Sequence, residues 1–248
     1  MDRYLRVRSM TGNVMFQNGN TSRTARVGDR LQAVGEGLTT RQVSTARLEV
    51  DTGIGFVDVS ENTRMRIQRM EIAPDNGRIT YIEVPQGQVR LQLRTFTHEG
   101  SEFEIQTPAG VSSVRGTEFG VSVQPDGRTG VATLEGLVET AAQGETVEVP
   151  EGFQNLTVPG NPPSPAVPLR DDPELTYEIV RRIEGGNRQL QFVGQVDPVN
   201  LVLVENEPQE IDVNGQFTLP FLPIRGQRVE ITVITPLGNR RDYDLAIF

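Results

Sequence analysis

The 248-residue chain contains no cysteine, no tryptophan and a single histidine, His98. Without cysteine there is no disulfide, no thiolate metal site and no cysteine nucleophile. With one histidine a two-histidine zinc centre cannot be built, and any histidine-dependent dyad or triad must use His98. Lysine is absent as well, because all 24 basic residues are arginine. That excludes a phosphate loop of the GxxxxGK kind and a Schiff-base lysine. No apolar run approaches the ~18 residues that span a bilayer. The opening Met1-Asp2-Arg3-Tyr4-Leu5 has no hydrophobic signal core. Either the protein is cytosolic or its export signal lies upstream of Met1.

The formal charge is -9, but it is unevenly spread. Residues 1–100 carry 14 arginines against 11 acids, and residues 101–248 carry 10 against 22. The basic half invites an anionic partner through its summed field. However, Arg3, Arg6, Arg8, Arg23, Arg26 and Arg30 are not interleaved with aromatic side chains, as a nucleic-acid platform requires. They are expected at solvated strand edges and loop tips, and no nucleic acid is expected as partner.

What is present is alternation. Apolar residues recur at every second position, and Gly, Pro or Asn-Gly turns interrupt the runs every 8 to 12 residues, which predicts an all-β protein. Leu48, Val50, Ile54, Val57 and Val59 alternate around Gly53 and Gly55, and Val89, Leu91 and Leu93 follow Gly87. Val121 and Val123 meet Val131 across Pro125-Asp126-Gly127, a hairpin signal. The Arg, Gln, Glu and Thr residues between them are expected to face solvent.

Three segments follow from the pattern: a β domain over 1–153, a Pro-rich linker over 154–172 and a small β-sandwich module over 173–248. In the linker, Val158 to Pro168 holds five prolines, which favour a semi-rigid polyproline II path. Residues 173–184 satisfy both a short capped helix, closed by Gly185-Gly186, and a strand alternating through Leu175, Tyr177 and Ile179; Thr and Tyr favour the strand. Further strands are predicted at Leu190 to Phe192, Leu201 to Val204, Gln216 to Phe221, Val229 to Ile234 and Tyr243 to Ile247, with turns at Asn214-Gly215 and Gly238-Asn239. So many short strands in so little chain suggest an immunoglobulin-like sandwich without its cysteine pair or tryptophan.

The first segment resembles the FecR domain. The resemblance runs through Gly12-Asn13-Val14, Val27-Gly28-Asp29-Arg30-Leu31, Leu38-Thr39-Thr40 and Ser44-Thr45-Ala46-Arg47-Leu48. Its strongest part is Phe103 to Ala109 leading into Val114-Arg115-Gly116-Thr117-Glu118-Phe119-Gly120-Val121, followed by Val131 to Val138 and Val147 to Gly152. One departure is Val50-Asp51-Thr52-Gly53, where family members often carry an Asp-Gly-Ser turn. The resemblance implies an all-β domain coiled as a short solenoid or roll outside the inner membrane. In the best-known members this domain relays a signal from an outer-membrane siderophore transporter to a sigma factor. Their anti-sigma segment, membrane helix and short C-terminal domain are not visible here, so the iron role is not carried over. The C-terminal segment looks like the immunoglobulin-like repeats that accompany bacterial adhesins and polysaccharide enzymes.

These readings predict a non-enzymatic, periplasmic or extracellular protein that binds an envelope protein or polysaccharide, with no cofactor. A membrane is expected only through a segment outside this sequence. The most family-like site is Arg115, Gly116, Thr117 and Phe119: the guanidinium suits a carboxylate partner, while Gly116 permits a bend or close strand approach. A carbohydrate- or peptidoglycan-binding role is the alternative. Asp212, Asn214 and Asp197 could offer oxygens to calcium, although Asx turns account for Asp212 and Asn214 without metal. Asp171-Asp172 and Glu205-Asn206-Glu207 read as solvated loops. An acid pair for glycoside hydrolysis lacks an aromatic platform, and His98 is expected to be exposed and idle.

Overall fold

The computed structural model describes residues 3–184, 187–219 and 227–247, and strand is the only regular structure among them. The chain runs through β1 (Leu5–Thr11), β2 (Val14–Asn18), β3 (Thr21–Thr24), β4 (Arg30–Leu31), β5 (Glu36–Thr40), β6 (Thr45–Val50), β7 (Gly55–Val59) and β8 (Arg64–Ile72). The long β9 (Arg78–Leu93) leads to β10 (Glu102–Gln106), β11 (Val111–Val114), β12 (Glu118–Val123) and β13 (Thr129–Glu135). Then come β14 (Leu137–Ala142), β15 (Glu145–Pro150), β16 (Phe153–Thr157) and β17 (Val167–Pro168).

These strands form two facing sheets. The first has the order β4-β1-β6-β7-β9-β12-β13-β16-β17, and the second β3-β2-β5-β8-β9-β10-β11-β14-β15. β9 belongs to both. Its first half pairs with β8 and β10, and from Gly87 onward it pairs with β7 and β12. Gly87 takes a φ of +93°, and a Cβ there would lie 2.7 Å from Thr63 Cβ, so the bend that transfers the strand needs glycine.

Alternation explains the interior. Inward residues of the first sheet, such as Leu48, Val57, Leu91 and Phe119, meet Leu38, Ile67, Ile82 and Ile105 of the second in one core, all at 0 % exposure. Each such side chain contributes about 1.5–3 kcal/mol by leaving water. The predicted hairpin at Pro125-Asp126-Gly127 joins β12 to β13; Gly127 donates its N–H to Gln124 O at 2.9 Å and has a φ of +87°.

The segment 154–172, expected as a semi-rigid linker rather than part of a sheet, begins inside the first sheet. β16 pairs with β13 from Thr129↔Thr157 to Thr133↔Phe153, and β17 pairs back onto β16. Four of the five prolines sit in the excursion between them and Pro168 in β17 itself; the excursion is pinned by Ser164 N–H donating to Leu156 O at 2.9 Å and Asn161 N–H to Val158 O at 3.0 Å. Proline costs only its own donor, so an edge excursion tolerates the run.

Seven strands follow: β18 (Thr176–Glu184), β19 (Asn187–Gln195), β20 (Leu201–Val204), β21 (Glu207–Gln209), β22 (Gln216–Thr218), β23 (Gln227–Ile234) and β24 (Arg240–Ile247). They make a three-stranded sheet, β18-β19-β22, and a four-stranded one, β21-β20-β23-β24. Phe192 and Phe217 from one sheet and Val202, Ile231 and Val233 from the other share a second core. Residues 176–184 are strand rather than helix. The expected turns at Asn214-Gly215 and Gly238-Asn239 form, the latter closing the β23–β24 hairpin. The Gly185-Gly186 pair and the last residues of the expected strand ending at Phe221 lie outside the described residues.

Several of the amino-terminal arginines are not merely solvated tips. Arg3 is 9 % exposed at its side chain and pairs with Asp51 at 2.8 Å, Arg6 pairs with Glu49 at 2.6 Å, and Arg23 with Asp29 at 2.6 Å. Arg30 lies 4.6 Å over the Tyr4 ring.

Candidate interaction surfaces

Arg115, Gly116 and Thr117 form the connection by which the chain leaves β11 in the second sheet and enters β12 in the first. Gly116 has a φ of +113°, and a Cβ on it would come within 2.7 Å of Arg94 O and of Thr95 N. Thr117 is buried; its hydroxyl donates to Leu137 O at 3.0 Å, and its carbonyl accepts from Leu93 N–H at 3.1 Å. Phe119 is wholly buried in the main core. Arg115 is exposed, and its guanidinium donates to Glu99 O. Arg115, Gly116 and Thr117 therefore border one open pocket of about 200 Å³ together with Glu102 and Glu139, whereas Phe119 takes no part in it; of the four, Arg115 is the exposed one.

The acids considered for metal are engaged in local structure. Asp212 Oδ1 accepts from the N–H groups of Asn214 at 2.9 Å and Gln216 at 2.8 Å, an Asx turn. Asp197 accepts from Gln154 Nε2 at 3.0 Å and pairs with Arg170 at 3.1 Å. Among the described residues no group of three or more His, Asp or Glu is placed to hold a metal ion. His98 is exposed, with Nδ1 3.2 Å from Thr97 Oγ1.

The seven-stranded module docks on the outer face of the first sheet, over β9, β12 and β13. Small residues make the seat: Gly120, Ser122 and Gly130 present almost no side chain, so the loops Asp197–Asn200 and Thr235–Asn239 approach the sheet backbone closely. Long side chains then reach up to backbone oxygens of the module. Gln88 Nε2 donates to Thr235 O at 2.7 Å and Pro236 O at 2.9 Å, and Arg90 Nη1 to Leu237 O at 3.1 Å. Gln124 Nε2 donates to Pro198 O at 2.8 Å, Ser122 Oγ to Val199 O, and Arg128 Nη2 to Ile211 O.

A second group of contacts closes the side of this seam. Arg240 pairs with Glu61, which is 5 % exposed, and Asn62 Nδ2 donates to Asn206 O at 3.0 Å. Gln42 Nε2 donates to Glu207 Oε1. Asp171 accepts from Asn239 Nδ2 at 2.7 Å, tying the end of the Pro-rich segment to the docked hairpin. So Glu205-Asn206-Glu207 and Asp171, expected as solvated loops, take part in packing. Polar positions on alternating strands do not by themselves distinguish a water-facing side chain from one buried beneath another module. The available signal was glycine inside β12 and β13, which marks a close backbone approach.

Docking covers one sheet and leaves the outer face of the other open. Pairing register lines up Arg69, Tyr81, Glu104, Ser113, Glu139 and Glu148 in one row across six strands. Arg69 lies 5.3 Å over the Tyr81 ring, and Tyr81 OH donates to Glu102 at 2.6 Å. Partial burial, and then the neighbouring charge of Glu102, push the Glu104 carboxyl above its ordinary range. Burial and the acceptor Glu102 push the Tyr81 phenol up to about 12. The row thus runs from an arginine at one side to closely spaced acids at the other.

The chain thus folds as a two-sheet sandwich that carries a second, smaller pair of β-sheets on one face. Residues 36–139, from β5 into β14, match the FecR protein family. Two crystal structures of a candidate anti-sigma factor from Parabacteroides distasonis ATCC 8503, at 2.50 and 1.65 Å resolution, align at 20 % identity with a TM-score of 0.44. Each alignment covers 52 % of this chain and 58 % of that one, so this chain spans less than two thirds of their length. No curated protein matches the sequence. No helix among the described residues is long and apolar enough to cross a membrane.

Proposed function

We propose that this chain is a non-enzymatic, exported envelope protein that acts by binding another protein through the open face of its FecR domain. The observation that carries this reading is the FecR match over 36–139, whose strands supply that face. A flat polar sheet offers rows of side chains and little enclosure, which suits protein recognition better than turnover. The acids of the row, Glu104, Glu139 and Glu148, with Glu102 beside them, fit a basic patch on the partner, with complementarity setting orientation and encounter rate. The C-terminal strands, ordered β18-β19-β22 and β21-β20-β23-β24, support an immunoglobulin-like assignment. In this proposal the module braces the first sheet and leaves the second for the partner.

The test is capture from an envelope extract with the immobilised chain. A retained protein that is lost with Glu139→Arg and Glu148→Arg, both exposed positions, supports the proposal. Binding to a glycan array with no protein captured would replace it with the carbohydrate reading, and polysaccharide turnover would sink both.

A further inference from the structure

At one end of the large sandwich lies a cleft of about 370 Å³. Every titratable side chain lining it is basic or imidazole: Arg3, Arg78, Arg94 and His98. Arg3 and Arg78 share one carboxylate, that of Asp51, at 2.8 and 2.9 Å. Burial is the main influence lowering the Arg3 pKa, and the nearby Arg78 charge acts in the same direction. The adjacent Asp75 carboxylate is engaged by backbone, accepting from Gly77 N–H at 2.9 Å and Gly100 N–H at 2.8 Å.

Arg94 is different. It stands exposed at the end of β9, and among the described residues it has neither an ion pair nor a side-chain hydrogen bond. Its planar fork is therefore available in full for a two-oxygen acceptor. The rest of the cleft is apolar in large part, with Ile54, Ile72, Phe96 and Phe103 beside the arginines. Ile72 is 49 % exposed, an uncovered apolar side chain next to an uncompensated cation.

The turn at Val50-Asp51-Thr52-Gly53 builds one wall of this site. Asp51, at a φ of +45°, accepts from Tyr4 N–H at 2.9 Å and from both arginines. Its burial at 2 % exposure holds Arg3 in the wall.

We propose that this cleft binds a small amphiphilic anion, an apolar group ending in a carboxylate or phosphate, with Arg94 as the anion-gripping side chain. The apolar part lies against Ile72 and Phe96, and the basic side chains that line the cleft favour the bound anion. A peptide C-terminus and a free organic acid or phosphate ester share this chemistry.

The lone histidine gives a reporter, because His98 supplies the only imidazole resonances in the chain. The full chain is titrated by NMR with N-acetyl-phenylalanine, with its uncharged amide and with phenyl phosphate. Saturable shifts at His98 with either anion, roughly millimolar for ligands of this size, and none with the amide are expected. The carboxylate and phosphate arms rank the two sources. Arg94→Gln is expected to weaken binding at least ~10-fold, whereas Arg41→Gln, an exposed arginine elsewhere, leaves it unchanged. Equal shifts from the amide, unaltered affinity in Arg94→Gln, or no saturable shift with either anion overturns the proposal.

Discussion

Adding one methyl group at Gly120 should separate the two modules without unfolding either. Gly120 lies on the outer face of β12, opposite Arg90 and Ala132, and its neighbours Phe119 and Val121 point into the core. A Cβ on it would meet Leu237 N at 2.9 Å and Pro236 O closer still, both in the docked hairpin. Restoring a carbon–oxygen spacing of about 3.3 Å requires the hairpin to retreat by on the order of 1 Å. The hydrogen bonds from Gln88 and Arg90, at 2.7, 2.9 and 3.1 Å, then stretch out of range. At about 1 kcal/mol each, their loss removes roughly 3 kcal/mol from docking, a shift of about two powers of ten in the docked population. Small-angle scattering reads the result directly. A compact chain of this length has a radius of gyration near ~18 Å, and Gly120→Ala should exceed that while keeping its far-ultraviolet circular dichroism. Faster proteolysis between Val158 and Leu169 should accompany the expansion. A Gly120→Ala protein with wild-type scattering and protease resistance would refute the idea that close backbone approach at this point holds the modules together.

Two further outcomes follow from the frame. Gly116→Val places a β-branched residue at a φ of +113° against Thr95, so it should cost at least ~2 kcal/mol and lower Tm by several degrees; an unchanged melt removes the structural account of that crossover. Because burial and Glu102 raise the folded-state pKa of Glu104, the folded form holds that proton more tightly than the unfolded form. This contribution is favourable below the ordinary carboxylate pKa and is lost as pH rises through the raised value. Glu104→Gln should therefore raise Tm at pH 7, by less than ~2 °C given the exposure of the site, and the gain should shrink below pH 4. A variant that melts at or below wild type at pH 7 contradicts the assignment.

Strand positions were largely legible in the sequence because each buried face repeats at every second residue; Val89, Leu91, Phe119 and Val121 all point inward as alternation requires. Gly116 read as permitting a bend or a close strand approach, because glycine between strands relaxes the steric limit; that the chain changes sheets there was not legible. Gln88, Arg90, Ser122 and Gln124 were not legible as contacts either. They occupy the polar half of the alternation, and nothing local says that a second module covers them. The five prolines after Val158 suggested separation, whereas pairing of β17 with β16 shows how an edge strand admits proline and still returns the chain to its sheet. The basic cleft escaped notice because Arg3, Asp51, Arg78 and Arg94 are scattered along the chain and meet only through pairing of distant strands.

The way the module is held has a consequence for sequence change. Side chains of Asn62, Gln88, Arg90, Ser122, Gln124 and Arg128 all donate to main-chain oxygens on the other side of the seam. One partner spells out the recognition in amino-acid identity, while the other answers mainly with the course of its peptide backbone. Mutational drift in those loops is then tolerated as long as their path persists. An unrelated sandwich with the same two loop shapes could be grafted onto this platform without redesigning it.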